Sequence, residues 1–126
     1  MYNTSPVFSI YALNLVLDWV VAQGGVTEMH RRNLAKAHKL YAFLDQSDFY
    51  TAPVETTARS LTNVVFTTGD LTRDKMIAKR AESEGLFNLN GHRSVGGFRA
   101  SLYNAQSMAA VDALITFLKK VEKEQV

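Results

Sequence analysis

From Val7 to about Gln23 the chain is apolar almost without a break, and the interrupting polar residues Asn14 and Asp18 stand four apart. That spacing puts both on one stripe of a helix. The remaining surface, with Phe8, Ile10, Leu13, Val16, Leu17 and Trp19, is hydrophobic. Pro6 suits a first helical turn and keeps Ser5 extended, so residues 2–6 read as an extended lead-in, and Gly24-Gly25 ends the helix. A helix apolar on nearly all sides needs cover from several directions, which one small domain rarely supplies. Part of this surface is therefore expected to meet another domain or subunit.

The period then changes. From about Thr27 to Asp45, Leu34, Ala37, Leu40, Tyr41 and Leu44 recur at helical spacing, while His30, Arg31, Arg32, Lys36 and Lys39 read as a basic outer face. Residues 48–57 are irregular or hold a short strand near Tyr50. Leu61 to Thr67, rich in Val, Phe and Thr, predicts a strand. Asp70 or Thr72 caps a third helix that reaches about Glu84 and stops at Gly85. Leu86 to Asn90 reads as a short strand, residues 91–97 as a turn-rich link, and Phe98 to Tyr103 as a further strand. In the last of these Phe98, Ala100 and Leu102 face one way, Arg99, Ser101 and Tyr103 the other. Ser107 starts a final helix with Met108, Val111, Ile115 and Leu118 on one face. Two helices followed by a β-α-β-β-α run predict an α+β fold, a small mostly antiparallel sheet with helices on one face. Residues 1–25 form the lead-in and apolar connecting helix, and residues 26–126 the small domain, one structural unit overall.

Composition narrows the function. A chain of 126 residues that is 47% hydrophobic can build a real core. The net charge of +2, with signs interspersed, argues against a nucleic-acid partner. No apolar run is long enough for a membrane span, and no secretory signal pattern is present. The absence of cysteine excludes disulfides and thiolate chemistry and is compatible with a cytoplasmic home. His30 and His38, eight apart, lie two turns distant and cannot chelate one metal, so no metal site is expected.

The chemistry concentrates in residues 90–104, where His92, Arg93 and Arg99 stand beside Gly91, Gly96 and Gly97. Guanidinium forks match carboxylate and phosphate oxygens, and glycines let backbone N–H groups approach an anion. The residues fit either a site for a small multiply charged anion or a solvated hairpin turn with exposed arginines. Asn3 and Thr4, before the first helix, are simple caps or donors to an anion. No nucleophile-plus-base pair and no Walker-type loop is present. On chemistry alone this is an anion-binding half-site without catalytic machinery.

The segment Gly91-His92-Arg93-Ser94-Val95-Gly96-Gly97-Phe98-Arg99-Ala100-Ser101-Leu102-Tyr103-Asn104-Ala105, with Tyr2-Asn3-Thr4-Ser5-Pro6-Val7-Phe8, Gln23-Gly24-Gly25-Val26 and Ser47-Asp48-Phe49-Tyr50, carries a resemblance. Arg59-Ser60, Asn63-Val64 and Phe66 add to it. End to end, the chain resembles the C-terminal small domain of the phosphoserine aminotransferases, pyridoxal-phosphate enzymes of the class-V group and of the aspartate-aminotransferase fold type I. The resemblance implies that His92 and Arg93 bind the substrate phosphate and that Arg99 takes the α-carboxylate. It implies that Asn3 and Thr4 reach the cofactor phosphate of a neighbouring subunit in a homodimer. The implied reaction moves an amino group between glutamate and 3-phosphohydroxypyruvate in serine biosynthesis, with phosphohydroxythreonine as the related substrate in vitamin B6 synthesis. Ser5, Val7 and Ser107 depart from the family's usual residues without touching the anion ligands. The family's large domain holds the Schiff-base lysine, the acidic partner of the ring nitrogen and the stacking aromatic residue. None of these lies in the chain, so it is expected to have no catalytic residue of its own and to be inactive alone. The competing expectation is a stand-alone module that binds an anionic metabolite without chemistry.

Overall fold

The computed structural model describes residues 2–124. They fall into two compact units divided inside a helix, one running to Arg32 and the other starting at Asn33. The sequence boundary at residues 25/26 sits a few residues earlier.

The first unit holds α1 (Val7–Ala22) and the opening turns of α2 (Gly25–Leu44). Its length and apolar character follow the sequence pattern, and no residue of α1 is buried. The polar stripe forms as spaced, with Asn14 Nδ2 donating to Asp18 Oδ2 at 3.1 Å. Among the described residues no single helix is long and apolar enough to cross a membrane. The turn between the helices is shorter than expected, since α2 begins at Gly25 and not near Thr27. Glu28 in the first turn of α2 accepts from Arg31 Nε at 2.7 Å and Arg32 Nε at 2.8 Å. Those two bonds hold its carboxyl down at about 2.

In the second unit the rest of α2 is followed by a short 3-10 turn (Thr56–Ala58), β1 (Asn63–Phe66), α3 (Leu71–Ser83), β2 (Phe98–Ser101) and α4 (Met108–Glu124). The strands pair antiparallel, Asn63 opposite Ser101 and Phe66 opposite Phe98. Val64, Phe66, Phe98 and Ala100 point into a core shared with Leu40 and Leu44 of α2, Ile77 and Ala81 of α3, and Val111, Leu118 and Val121 of α4. Arg99 on the opposite face is exposed. The coarser α+β reading therefore stands, as four helices and a two-stranded antiparallel sheet, smaller than expected. Aromatic rings fill the centre. Phe66 stacks on Phe98 at 4.8 Å between centroids, and Tyr50 meets Phe49 edge-on at 4.9 Å. The Tyr50 hydroxyl donates to Leu118 O at 3.2 Å, and burial pushes its ionisation far up.

Two expectations are corrected. Leu86–Asn90 is not a strand, because Asn88 sits at φ 61°, in the left-handed region that breaks an extended run. What survives is an isolated bridge between Asn90 and Phe98 and a bond from Arg99 N–H to Leu89 O at 2.9 Å. A second bridge, Thr51 to Thr67, takes the place of a strand near Tyr50. Lys36 does not belong to the basic outer face of α2. It lies on the buried face with Asn33, Ala37, Leu40 and Leu44, and only 2% of it is exposed.

Asp70 caps α3, its carboxylate accepting from the N–H groups of Thr72 and Arg73 at 2.8 and 3.1 Å. One turn on, the buried Asp74 accepts from Thr67 Oγ1 at 2.6 Å, Thr68 N–H at 2.9 Å and Thr68 Oγ1 at 2.7 Å. The end of β1 is thereby tied to the start of α3.

Candidate functional site

The glycines of residues 91–97 shape the loop, and the N–H groups of Gly91 and Gly96 are spent inside it instead of being offered to an anion. Gly91 N–H donates to Gly97 O at 2.8 Å, closing the loop on itself. A Cβ on Gly91 would lie 1.9 Å from Gly96 O, and Gly97 sits at φ 69° with Phe66 O 2.7 Å from where its Cβ would be. No other residue fits either position without moving backbone. Within the loop, Val95 and Gly96 N–H groups both donate to His92 O, at 2.9 and 2.8 Å. The resulting turn leaves His92, Arg93 and Ser94 exposed. His92 Nδ1 lies 2.6 Å from Ser94 Oγ and 3.3 Å from Ser94 N. Because that N–H points at Nδ1, the neutral ring carries its hydrogen on Nε2, an assignment from the hydrogen-bond network.

His92 and Arg93 line a hollow of about 350 Å³ with Leu71, Lys75 and Asp74. Among the described residues Asp74 is the one acidic lining residue there, and its oxygens are engaged by Thr67 and Thr68. Arg99 lines a different, larger hollow of about 890 Å³, walled by Phe87, Asn88, Ser101, Tyr103 and Gln106. Asn90 lines both. His92 and Arg93 are thus brought together, while Arg99 faces the adjoining space. Ser101 and Tyr103 accompany Arg99, as their shared strand face predicts.

Asn3 and Thr4 belong to the first unit. Both are exposed, and no side-chain hydrogen bond engages either among the described residues. An amide and a hydroxyl are uncharged donors suited to the phosphate end of a cofactor. They offer nothing for its ring. Among the described residues no group of His, Asp or Glu side chains could hold a metal ion.

The sequence reading missed Asn33 and Lys36. Lys36 Nζ donates to Tyr103 O at 2.7 Å, Gln106 O at 3.0 Å and Leu102 O at 3.4 Å. Asn33 Nδ2 donates to Asn104 Oδ1 at 2.7 Å. Asn33 stands four before Ala37 and Lys36 four before Leu40, so each shares a side of the helix with a core residue, a signal present in the spacing but outweighed by their polarity.

The family model of the class-V aminotransferases matches residues 1–114. The chain belongs to that family. It is 72% identical over 122 residues to the phosphoserine aminotransferase of Leuconostoc mesenteroides, covering 97% of this chain and 34% of that protein. The Listeria monocytogenes serovar 1/2a enzyme is 54% identical over 120 residues, with 95% and 33% covered. Among solved structures, phosphoserine aminotransferase from Bacillus circulans subsp. alkalophilus superposes with a TM-score of 0.94 at 39% identity, covering 99% of this chain and 35% of that one. The pyridoxal-phosphate-bound enzyme of Trichomonas vaginalis gives 0.88 at 38% identity, with 94% and 34% covered. This class-V chain spans about a third of the length of the relatives it matches.

Proposed function

We propose that the chain is the C-terminal domain of a phosphoserine aminotransferase, transferring an amino group between glutamate and 3-phosphohydroxypyruvate to give phosphoserine and 2-oxoglutarate. Phosphohydroxythreonine is the related substrate. The observation that carries the reading is the closed glycine loop, which presents His92 and Arg93 beside the hollow of Arg99. A phosphorylated amino acid has two anionic ends, and two hollows that share Asn90 suit such a ligand better than one would.

In this reading Arg93 and His92 Nε2 hold the phosphate, and Arg99 holds the α-carboxylate common to every substrate. Asn3 and Thr4 donate to the cofactor phosphate across a homodimer, in the cytoplasm. Pyridoxal phosphate, when bound, supplies the electron sink for bond cleavage at the amino acid α-carbon. The chain's own residues bind and orient. The lysine that carries the cofactor belongs to the remainder of the enzyme. The exposed apolar surface of α1 supports the presence of such a remainder, and it weighs against a stand-alone metabolite-binding module.

The test uses the full-length polypeptide that carries this segment. Arg99→Ala raises KM for glutamate and for the phosphorylated substrate alike. Arg93→Ala raises it for the phosphorylated substrate alone. Each lost charge-assisted contact costs ~1.5–3 kcal/mol, roughly a 10- to 150-fold effect. Equal damage to both substrates by Arg93→Ala would overturn the assignment. The 126-residue chain by itself shows no transamination with added pyridoxal phosphate, and measurable turnover would refute its dependence on a partner domain.

A further inference from the structure

Lys36 stands out because nothing in the proposed chemistry uses it. A lysine with 2% of its surface exposed has normally to be paired with a carboxylate. Among the described residues no carboxylate forms an ion pair with Lys36. Its three hydrogens go instead to three main-chain carbonyls, those of Leu102, Tyr103 and Gln106, all in the turn between β2 and α4. Burial holds its ammonium below the usual lysine range, while the three converging carbonyl dipoles favour the charge. Asn33, one turn earlier on α2, ties the same turn through Asn104. Among the described residues its Oδ1 is buried without a partner, so its amide is oriented for that turn at a desolvation cost.

The turn so held is a wall of the Arg99 hollow. Tyr103 and Gln106, whose carbonyls Lys36 grips, line that hollow together with Arg99 and Ser101 from the preceding strand. We infer that Lys36, assisted by Asn33, is a positioning residue, an ammonium clamp that fixes the turn after β2 and so sets the shape of the carboxylate subsite. The clamp itself rests on geometry alone. Its consequence for substrate rests on the functional reading above, in which Arg99 receives a carboxylate.

The experiment compares Lys36→Met, which keeps the stem and removes the donors, with Ile77→Ala, a core truncation in α3. Both are made in the full-length polypeptide. Two quantities are read, amide hydrogen exchange along the chain and calorimetric binding of 2-oxoglutarate. Expected for Lys36→Met is exchange at least tenfold faster confined to residues 102–107, with dicarboxylate affinity weakened threefold or more. Ile77→Ala accelerates exchange broadly and leaves affinity within twofold. Unchanged exchange in Lys36→Met, or acceleration spread as in Ile77→Ala, overturns the clamp. Wild-type affinity in Lys36→Met, while Arg99→Ala binds weakly, overturns its influence on the subsite. If Arg99→Ala binds the dicarboxylate normally, the functional reading fails instead, and the exchange pattern decides the clamp by itself.

Discussion

Replacing Asp74 with alanine removes a buried acceptor that serves three donors at once, the hydroxyls of Thr67 and Thr68 and the N–H of Thr68. A hydrogen bond to a charged group contributes ~1.5–3 kcal/mol, and a buried donor left unpaired costs ~1–3 kcal/mol. The terms do not simply add. Thr67 and Thr68 are half-buried, so their hydroxyls rotate towards water, whereas the Thr68 N–H is fixed by the chain. Loss of the carboxylate also removes its own desolvation penalty, an opposing term of several kcal/mol. The expected net loss is ~2–3 kcal/mol for Asp74→Ala. Asp74→Asn retains one carbonyl for the Thr68 N–H and loses about half as much. Urea unfolding followed by circular dichroism reads the difference, since an m-value of ~1–3 kcal/mol/M turns the alanine loss into a midpoint shift of about 0.7–3 M. Asp74→Ala within 0.5 kcal/mol of wild type, or Asp74→Asn worse than Asp74→Ala, would refute the view that the carboxylate acts as a shared acceptor.

Gly91→Ala forces the loop open, because the added methyl would meet Gly96 O at 1.9 Å. Titration with inorganic phosphate should show affinity falling tenfold or more, and unaltered affinity would separate the loop from anion binding. Arg59 pairs with Asp45 through two bonds of 2.6 and 2.7 Å and lies 4.5 Å over the Tyr41 ring, so Arg59→Ala should lose about 2 kcal/mol in the same urea assay. The guanidinium bonds hold the Asp45 carboxyl below its usual range. The pair's contribution is therefore complete above the ordinary aspartate value and fades as pH falls through the lowered one. The gap between wild type and Arg59→Ala should shrink below about pH 4. A gap independent of pH would show that the lost packing on Tyr41 dominates.

Alternation and helical spacing made most of this fold readable. Phe98 and Ala100 face the core and Arg99 faces out, as their order along the strand requires, and Asp70 caps α3 as its place before the helix suggests. What stayed hidden depends on single backbone angles or on distant partners. The left-handed Asn88 cancels a strand that composition alone favours. Lys36 reads as solvated because lysine usually is, and only its carbonyl partners, 66 to 70 positions away along the chain, account for its burial. The candidate site residues stand out in the sequence by their chemistry, since arginines beside glycines suit either an anion or a solvated turn. Their division between two adjoining hollows was not, because it follows from how the loop closes on Gly97 O.

The kink at Asn88 has a bearing on how safely such a polypeptide is handled in the cell. A two-stranded ribbon with a straight outer border would be a template onto which further copies could add, the first step towards fibrils. The irregular segment instead occupies part of that border with the Leu89 carbonyl and veers away before a regular ladder can form. A further copy would therefore find that rim partly taken and irregular, which makes it a poor seed for strand addition.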